Sequence, residues 1–380
     1  MSTNKRHFRE RFLSANRKML QLLEKSKPTL AFYKHIILPV EVFFFKAGNY
    51  KISPTFRQEL IKAKETFFTE EEKQNPRKSR KLENQLIKSY ISQQFTIKEF
   101  FLYGLRDMKF KEKRTYLSDL ERKSMLDEVG NEAAYNELTN KGILYMIAKK
   151  YFKREAFVIN QNSDVKGFID FVSRHPEFIV KPLFGSSGRD ATIQSAHTPS
   201  EARNLFAKLS AQHSWIVEEL IQQAPAMSVW NASSVNTLRV PVIDTKDGIK
   251  ILQPYFRIGR KGSVVDNTNQ GGIFAVFEPE TGIVSTDGID KRLITYECHP
   301  DSGLRFKGWQ IPQYDELKLL AAEILHMLPS HPRYISFDFA LTPSGWVLVE
   351  GNYNGQFTGQ IAEHKGVRKE FIEYYCNQRA

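Results

Sequence analysis

The chain has 380 residues, 41% hydrophobic and 26% charged, with a formal net charge of +12. This length supports two or three domains, and the balance is that of an ordinary globular protein without repeats or low-complexity tracts. Two isolated cysteines, Cys298 and Cys376, offer neither a disulfide framework nor a metal spacing, which fits a reducing, cytoplasmic setting.

The opening segment "MSTNKRHFRERFLSANRKML" is basic and lacks the apolar stretch of a secretory signal. "HIILPVEVFFF", residues 35–45, is interrupted by Pro39 and Glu41. A membrane span needs about 20 mostly apolar residues, so a buried helix or a strand pair is expected there instead. The charge is lopsided: residues 1–120 hold 26 Lys+Arg against 13 Asp+Glu, and the remainder holds 29 against 30. Such a basic third suits an anionic partner, whether a polyanionic glycan, nucleic acid or a membrane surface, or else is a solvated helical surface. "EEKQNPRKSRKLENQ", residues 71–85, reads as an exposed charged turn between helices.

Residues 1–123 are expected to be mainly helical, with apolar residues at three- and four-residue spacing in "LIKSYISQQFTIKEFFLYGL". Ser118 reads as an N-cap with Glu121 as its capping-box partner, and "NKGILYMIAKKYF" as a further amphipathic helix. From residue 155 the pattern alternates. "AFVIN", "EFIVKP", "ATIQS" and "WIVEELI" read as strands, "DVKGFIDFVSRH" as a helix, and "SEARNLFAKLSAQ" as a helix capped by Ser200. Strand-like runs follow at "VNTLRVPVID", "GIKILQPYFRIGR", "GGIFAVFEPETG" and "GWVLVEGN", with helices at "YDELKLLAAEILHML" and "KGVRKEFIEYY". The fold class is α+β, divided into a basic helical domain over 1–123, a small α+β subdomain over 124–225 and a larger one over 226–380.

Several constellations carry chemistry. "FIVKPLFGSSGRD" ends a buried strand on Lys181 and breaks into Gly185-Ser186-Ser187-Gly188. Glycines let backbone N–H groups approach phosphate oxygens, and lysine adds a mobile positive charge; a plain hairpin is the alternative. In "WIVEELIQQ", the strand runs into Glu218, Glu219, Leu220 and Ile221. That end can read an adenine edge through its backbone, or it is only a strand end with exposed acids. In "SFDFALTPSGWVLVEGNYNGQF", Glu350 and Asn352 are two apart and share a face, and a hairpin lets Asp338 meet them. Two carboxylates and an amide oxygen are hard ligands suited to Mg2+; an exposed polar hairpin is the alternative, but "WVLVE" is too apolar for one. Arg239, inside an apolar strand, needs an anionic partner, either in a structural ion pair or as a clamp on a phosphoryl group. "DNTNQGG", residues 266–272, is a substrate loop or a turn.

In this order the motifs resemble those of the ATP-grasp superfamily, and most closely the sugar-transfer-associated ATP-grasp family. The further points of likeness are an Asn-Thr-x-Arg strand at Asn236, Thr237 and Arg239, and an Asn-plus-Gly-Gly element at Asn267, Gly271 and Gly272. The resemblance spans roughly residues 95–365. It implies an ATP-grasp fold, two α+β subdomains clamping ATP, beside a mainly helical N-terminal domain. It also implies that Lys141, Lys181, Gly185, Ser186, Ser187, Gly188, Glu218, Glu219, Leu220 and Ile221 hold ATP. Asp338, Glu350 and Asn352 would hold Mg2+, Arg239 and Lys181 would act in catalysis, and Asn267, Gly271, Gly272 and Asn354 would bind substrate. Gln222 and Gln223 stand where many relatives have a ribose-binding glutamate. The implied reaction is ADP-forming carboxylate–amine ligation through an acyl phosphate, on a polysaccharide- or peptide-related substrate. A phosphotransferase on the same fold and a non-catalytic binder of an anionic glycan or nucleic acid are the alternatives. Neither a membrane span nor a nucleic-acid role is expected of the ligase.

Overall fold

The computed structural model describes residues 27–46, 54–185 and 191–377. Contacts divide the chain into two compact units: one runs to Gly130 and includes His364–Lys369, and the other comprises Asn131–Glu363 and Glu370 onward. The first unit therefore runs past residue 123 and takes in a segment from near the C-terminus.

Among the described residues the first unit is helical throughout its regular elements, as its spacing predicts. The helix Pro76–Gln93 buries Leu82, Leu86, Ile87 and Ile91 on one face, and Asn75 caps it by accepting from the N–H groups of Arg77 and Lys78. The charged stretch around it is therefore two helices meeting at Asn75, with Arg77, Lys78, Arg80 and Lys81 exposed. Thr96 and Glu99 form a capping box at the helix Ile97–Leu102. Ser118 caps Asp119–Val129 by accepting from the N–H of Glu121, but no reciprocal box forms there. The Glu121 carboxylate instead accepts from Nε of Arg368 at 2.9 Å and from its Nη2 at 2.9 Å, holding the late segment in this unit. A buried guanidinium is a stronger claimant for that carboxylate than one backbone N–H.

The run at residues 35–45 takes the first of its two expected forms, a helix, but is buried on one face only. It is helical, in contiguous segments Lys27–Phe32, Tyr33–Ile37 and Leu38–Phe44, the middle one a π-turn. The wide turn, with Leu38 N–H bonded to the Tyr33 carbonyl, lets the chain pass Pro39, which has no N–H to give. Only one face is buried, through Leu30, Tyr33, Leu38 and Val42, while the opposite face is open.

The second unit holds two antiparallel sheets. The strands of the smaller sheet are β1 (Ala156–Ile159), β2 (Glu177–Pro182), β3 (Thr192–Ser195) and β4 (Trp215–Glu219), in the order β1-β4-β2-β3. Helices Val165–Arg174 and Pro199–Ser210 cover it, and Phe168, Phe171, Phe178, Val180 and Val217 form its core. Thr198, not Ser200, caps the second of these helices, because Pro199 fits the first helical position and moves the cap two residues earlier.

The larger sheet comprises β5 (Thr237–Thr245), β6 (Gly248–Ile251), β7 (Tyr255–Ile258), β8 (Ile273–Val276), β9 (Gly288–Ile289), β10 (Thr295–Tyr296), β11 (Tyr334–Thr342) and β12 (Gly345–Asn352). Its order is β10-β9-β8-β7-β5-β11-β12, with β6 paired to β5. A bulge interrupts the β11–β12 register after Asp338 and Glu350. The helix Lys141–Phe152 lies against β12, where Gly351 lets it approach: a Cβ there would sit 3.2 Å from the Leu144 side chain.

Candidate active site

One row of side chains crosses four strands of the larger sheet. Tyr255 on β7 pairs with Arg239 on β5, Arg239 with Asp338 on β11, and Asp338 with Glu350 on β12. Directly opposed residues in an antiparallel ladder share a face, so these groups converge. Arg239 donates through Nε and Nη2 to the two oxygens of Asp338, the second at 2.9 Å. Its Nη2 also lies 4.0 Å from Glu350. Asn352, two residues on, donates to Glu350 at 3.2 Å.

Two residues along the same face sits a second arginine that the sequence reading did not single out. Arg257 on β7 reaches Asp338 at 2.9 Å and the Thr237 hydroxyl at 2.6 Å. Thr237 in turn bonds Asp266, its N–H donating at 2.9 Å and its hydroxyl donating to the same carboxylate oxygen. The signal for Arg257 was that of Arg239, an arginine within an apolar strand.

Electrostatics follow from this packing. Burial works to raise the Asp338 carboxyl, but Arg239 and then Arg257 outweigh it and hold it below the usual range. Burial, then Asp338, pushes the Glu350 carboxyl up, against Arg239 and Lys141. Two opposed carboxylates with an amide beside them are a donor set that a divalent cation would relieve, and Glu350 keeps 29% of its side chain exposed. Among the described residues no three His, Cys, Asp or Glu side chains cluster as a metal cage. Mg2+ is ordinarily held by one or two carboxylates together with substrate phosphates, so the set present fits it.

The smaller sheet supplies the second half. Lys181 on β2 and Arg154 just before β1 flank β4 and meet on Glu218, which is buried. Lys181 Nζ donates to Glu218 Oε1 at 3.0 Å, and Arg154 Nε to Oε2 at 2.8 Å. Burial opposes ionisation of Glu218, yet Arg154 and Lys181 hold its carboxyl at about 2. The strand end therefore does not present two exposed acids. Glu219 is half-buried and accepts from the Glu155 N–H at 3.1 Å, and Leu220 and Ile221 leave the strand half-buried. Arg154 gave no signal in the sequence, because "AKKYFKREA" looks like any basic surface run.

Lys141 opens its helix behind the Asn140 cap and donates from Nζ to the Gly185 carbonyl at 2.7 Å. Burial lowers its pKa, with Lys181 adding to this and Glu350 and Glu218 opposing it. Lys141, Lys181, Glu218 and Glu350 are thus close enough to feel one another. Gly185 has a φ of 108°, open to glycine and strained for other residues. Ser186, Ser187 and Gly188 lie outside the described residues.

The loop 266–272 folds on itself. Asn267 accepts from the N–H groups of Gln270 and Gly272, at 2.9 and 3.2 Å. A Cβ on Gly272 would fall 2.1 Å from the Asp266 carbonyl oxygen, and Gly271 has a φ of 95°. Asn267 is half-buried beside them, and Asn354 lies half-buried in the turn after β12. Gln223 is held inside the chain: its amide donates to the carbonyls of Asn231 and Ser234 and accepts from the Asn236 N–H. Gln222 is exposed.

The family model described as sugar-transfer associated ATP-grasp matches residues 121–374. Comparison with curated proteins returns no match. Among solved structures, the D-alanine-D-alanine ligase from Coxiella burnetii is 11% identical, with a TM-score of 0.39 over 63% of this chain and 57% of the ligase. The ATP-grasp ligase PsnB complexed with minimal precursor is 13% identical, with a TM-score of 0.40 over 70% of this chain and 69% of its own. The N5-carboxyaminoimidazole synthetase from Staphylococcus aureus complexed with ADP is 12% identical, with a TM-score of 0.39 over 65% and 54%. The chain thus spans little more than half the length of the first and third of these. The family match, over the region that holds both sheets and the row from Arg239 to Glu350, assigns the chain to the sugar-transfer-associated ATP-grasp family.

Proposed function

We propose that this protein is an ADP-forming carboxylate–amine ligase that uses ATP and Mg2+. The observation that carries the reading is the cross-strand row Arg239–Asp338–Glu350 with Asn352 beside it, in a chain of this family. In this reading Lys141 and Lys181 hold the ATP phosphates under the loop that begins at Gly185. The backbone of Glu219, Leu220 and Ile221 meets the adenine. Asp338, Glu350 and Asn352 hold Mg2+, which when bound offsets charge on the nucleotide phosphates. Asn267, Gly271, Gly272 and Asn354 border the substrate.

The substrate carboxylate oxygen attacks the γ-phosphorus. The bond to the β–γ bridging oxygen breaks, and ADP leaves with that electron pair. The acyl phosphate is then attacked by an amine, phosphate departs and the amine proton is lost, leaving an amide. Arg239 is fixed by two bonds to Asp338, and no described residue accepts from its Nη1. That donor is available to the transferring group and to the oxyanion of the second step, and it is preorganised there.

The test is ADP release screened over amino acids, uronic acids and peptides, with mass analysis of products. Free phosphate together with a new amide supports the ligase. A phosphorylated acceptor with no free phosphate replaces it with a phosphotransferase. Failure to bind ATP in calorimetry would leave only a binding protein.

A further inference from the structure

The helical segment from Lys27 to Phe44 in the first unit presents a second apolar face. Phe32, Ile36, Val40, Phe43 and Phe44 are 57%, 55%, 51%, 66% and 64% exposed. Their spacing of three and four residues lays them along one side, opposite the face that Leu30, Tyr33, Leu38 and Val42 bury. Single exposed apolar residues are ordinary, but a contiguous stripe of five large ones on one helix is not.

The unit that carries the stripe is basic, with 26 Lys+Arg against 13 Asp+Glu over residues 1–120. Glu41, the one acid from Thr29 to Phe45, lines the groove beside Ile36, Val40 and Phe44, where it accepts from the Tyr33 hydroxyl at 3.0 Å. Lys34 lies 4.2 Å from the centre of the Phe110 ring and is close enough to Lys111 for their charges to repel. The same unit exposes Arg77, Lys78, Arg80 and Lys81.

We propose that this face docks the protein on an anionic lipid surface, with the stripe entering the headgroup region and basic residues of the same unit meeting lipid phosphates. No helix among the described residues is long and apolar enough to cross a membrane, so the helix lies on the surface. The two halves of the face select the occupant. A soluble polyanion answers the charge, and Phe32, Phe43 and Phe44 offer it rings to stack on, but Ile36 and Val40 between them have no planar face to give a base or a sugar ring. A second copy would answer the apolar face but would bring together two units that each carry 26 basic against 13 acidic residues over positions 1–120. An anionic bilayer satisfies both.

The test is co-sedimentation of the full chain with vesicles of phosphatidylcholine alone and of phosphatidylcholine mixed with phosphatidylglycerol. The expected result is binding to the anionic vesicles only, weakened by salt and reduced at least ~10-fold in the Ile36→Glu/Phe43→Glu variant. Both positions are exposed, so the variant keeps its thermal midpoint and its ADP-release rate in solution. Ile36→Trp retains vesicle binding. Absence of wild-type binding to either vesicle overturns the proposal, as does binding that the double variant leaves intact. A lipid-free oligomer that the double variant converts to monomer, seen by sedimentation velocity, also overturns it, in favour of a contact between copies.

Discussion

Arg154 donates to Glu218 at 2.8 Å and to the Leu348 carbonyl at 2.7 Å, so one buried guanidinium joins β4 of the smaller sheet to β12 of the larger. The Leu348 carbonyl sits at the β11–β12 bulge, just before Glu350. Replacing Arg154 with methionine leaves Glu218 buried with Lys181 alone. Breaking such a pair costs about 3–5 kcal/mol. Urea unfolding of Arg154→Met should register a loss of that order, with Arg154→Lys recovering part of it. Wild-type stability in Arg154→Met would show that the strut carries nothing.

Lys181→Ala should be milder for the fold, because Arg154 still holds Glu218. Its effect should fall on the nucleotide: a weaker calorimetric ATP affinity, and a KM for ATP raised more than the KM for the acceptor. If ATP affinity does not change, the segment after β2 is a hairpin and not a phosphate grip.

The two carboxylates of the proposed metal set should separate in their effects. Asp338 binds Arg239 and Arg257, so Asp338→Asn should lower both stability and turnover. Glu350 meets Asn352 at 3.2 Å, Arg239 at 4.0 Å and the Asp338 carboxyl through a hydrogen bond that an amide also makes, so Glu350→Gln should keep the thermal midpoint. It should still depress turnover at least ~100-fold, through the charge lost opposite the phosphates. Turnover titrated against Mg2+ is the readout, and near-normal activity in Glu350→Gln would remove the assignment.

Glu99 should make the first unit sensitive to pH. Burial, then the nearby Asp119, raises its carboxyl from 4.5 to about 7, although Asp119 and Thr96 donate N–H bonds to it. The folded state therefore holds a proton that the unfolded state has released. Stability from this group is fully present below pH 4.5 and is lost as pH rises through about 7. Thermal midpoints should fall across that window, and Glu99→Gln should flatten the profile.

The loop ahead of β8 leaves no room at Gly272. Gly272→Ala would set a Cβ 2.1 Å from a backbone oxygen of Asp266, whose carboxylate holds Thr237 and lies 3.6 Å from Arg257. A loss of roughly 2 kcal/mol or more is expected in denaturant unfolding. A neutral substitution would mean that the loop relaxes without disturbing that network.

The sequence by itself marked most of the strands between residues 156 and 352 along the chain, though not the short β9 and β10, and put Glu350 and Asn352 on one face. Strand alternation has period two, and glycine-bearing turns such as Ser344–Gly345 mark where the chain reverses. It also determined that Arg239 needed an anion, since an arginine in an apolar strand has no other stable state. Which anion was a matter of tertiary structure: Asp338 is distant in sequence, and only the order β7-β5-β11-β12 sets it between Arg239, Arg257 and Glu350. Arg154 and Gln223 were hidden for the same reason. Local pattern says which way a side chain points, but not which strand lies beside it. The helix at residues 35–45 shows the converse: its apolar content was plain in the sequence, but only packing showed that Leu38 and Val42 are buried while Ile36 and Phe43 are left open.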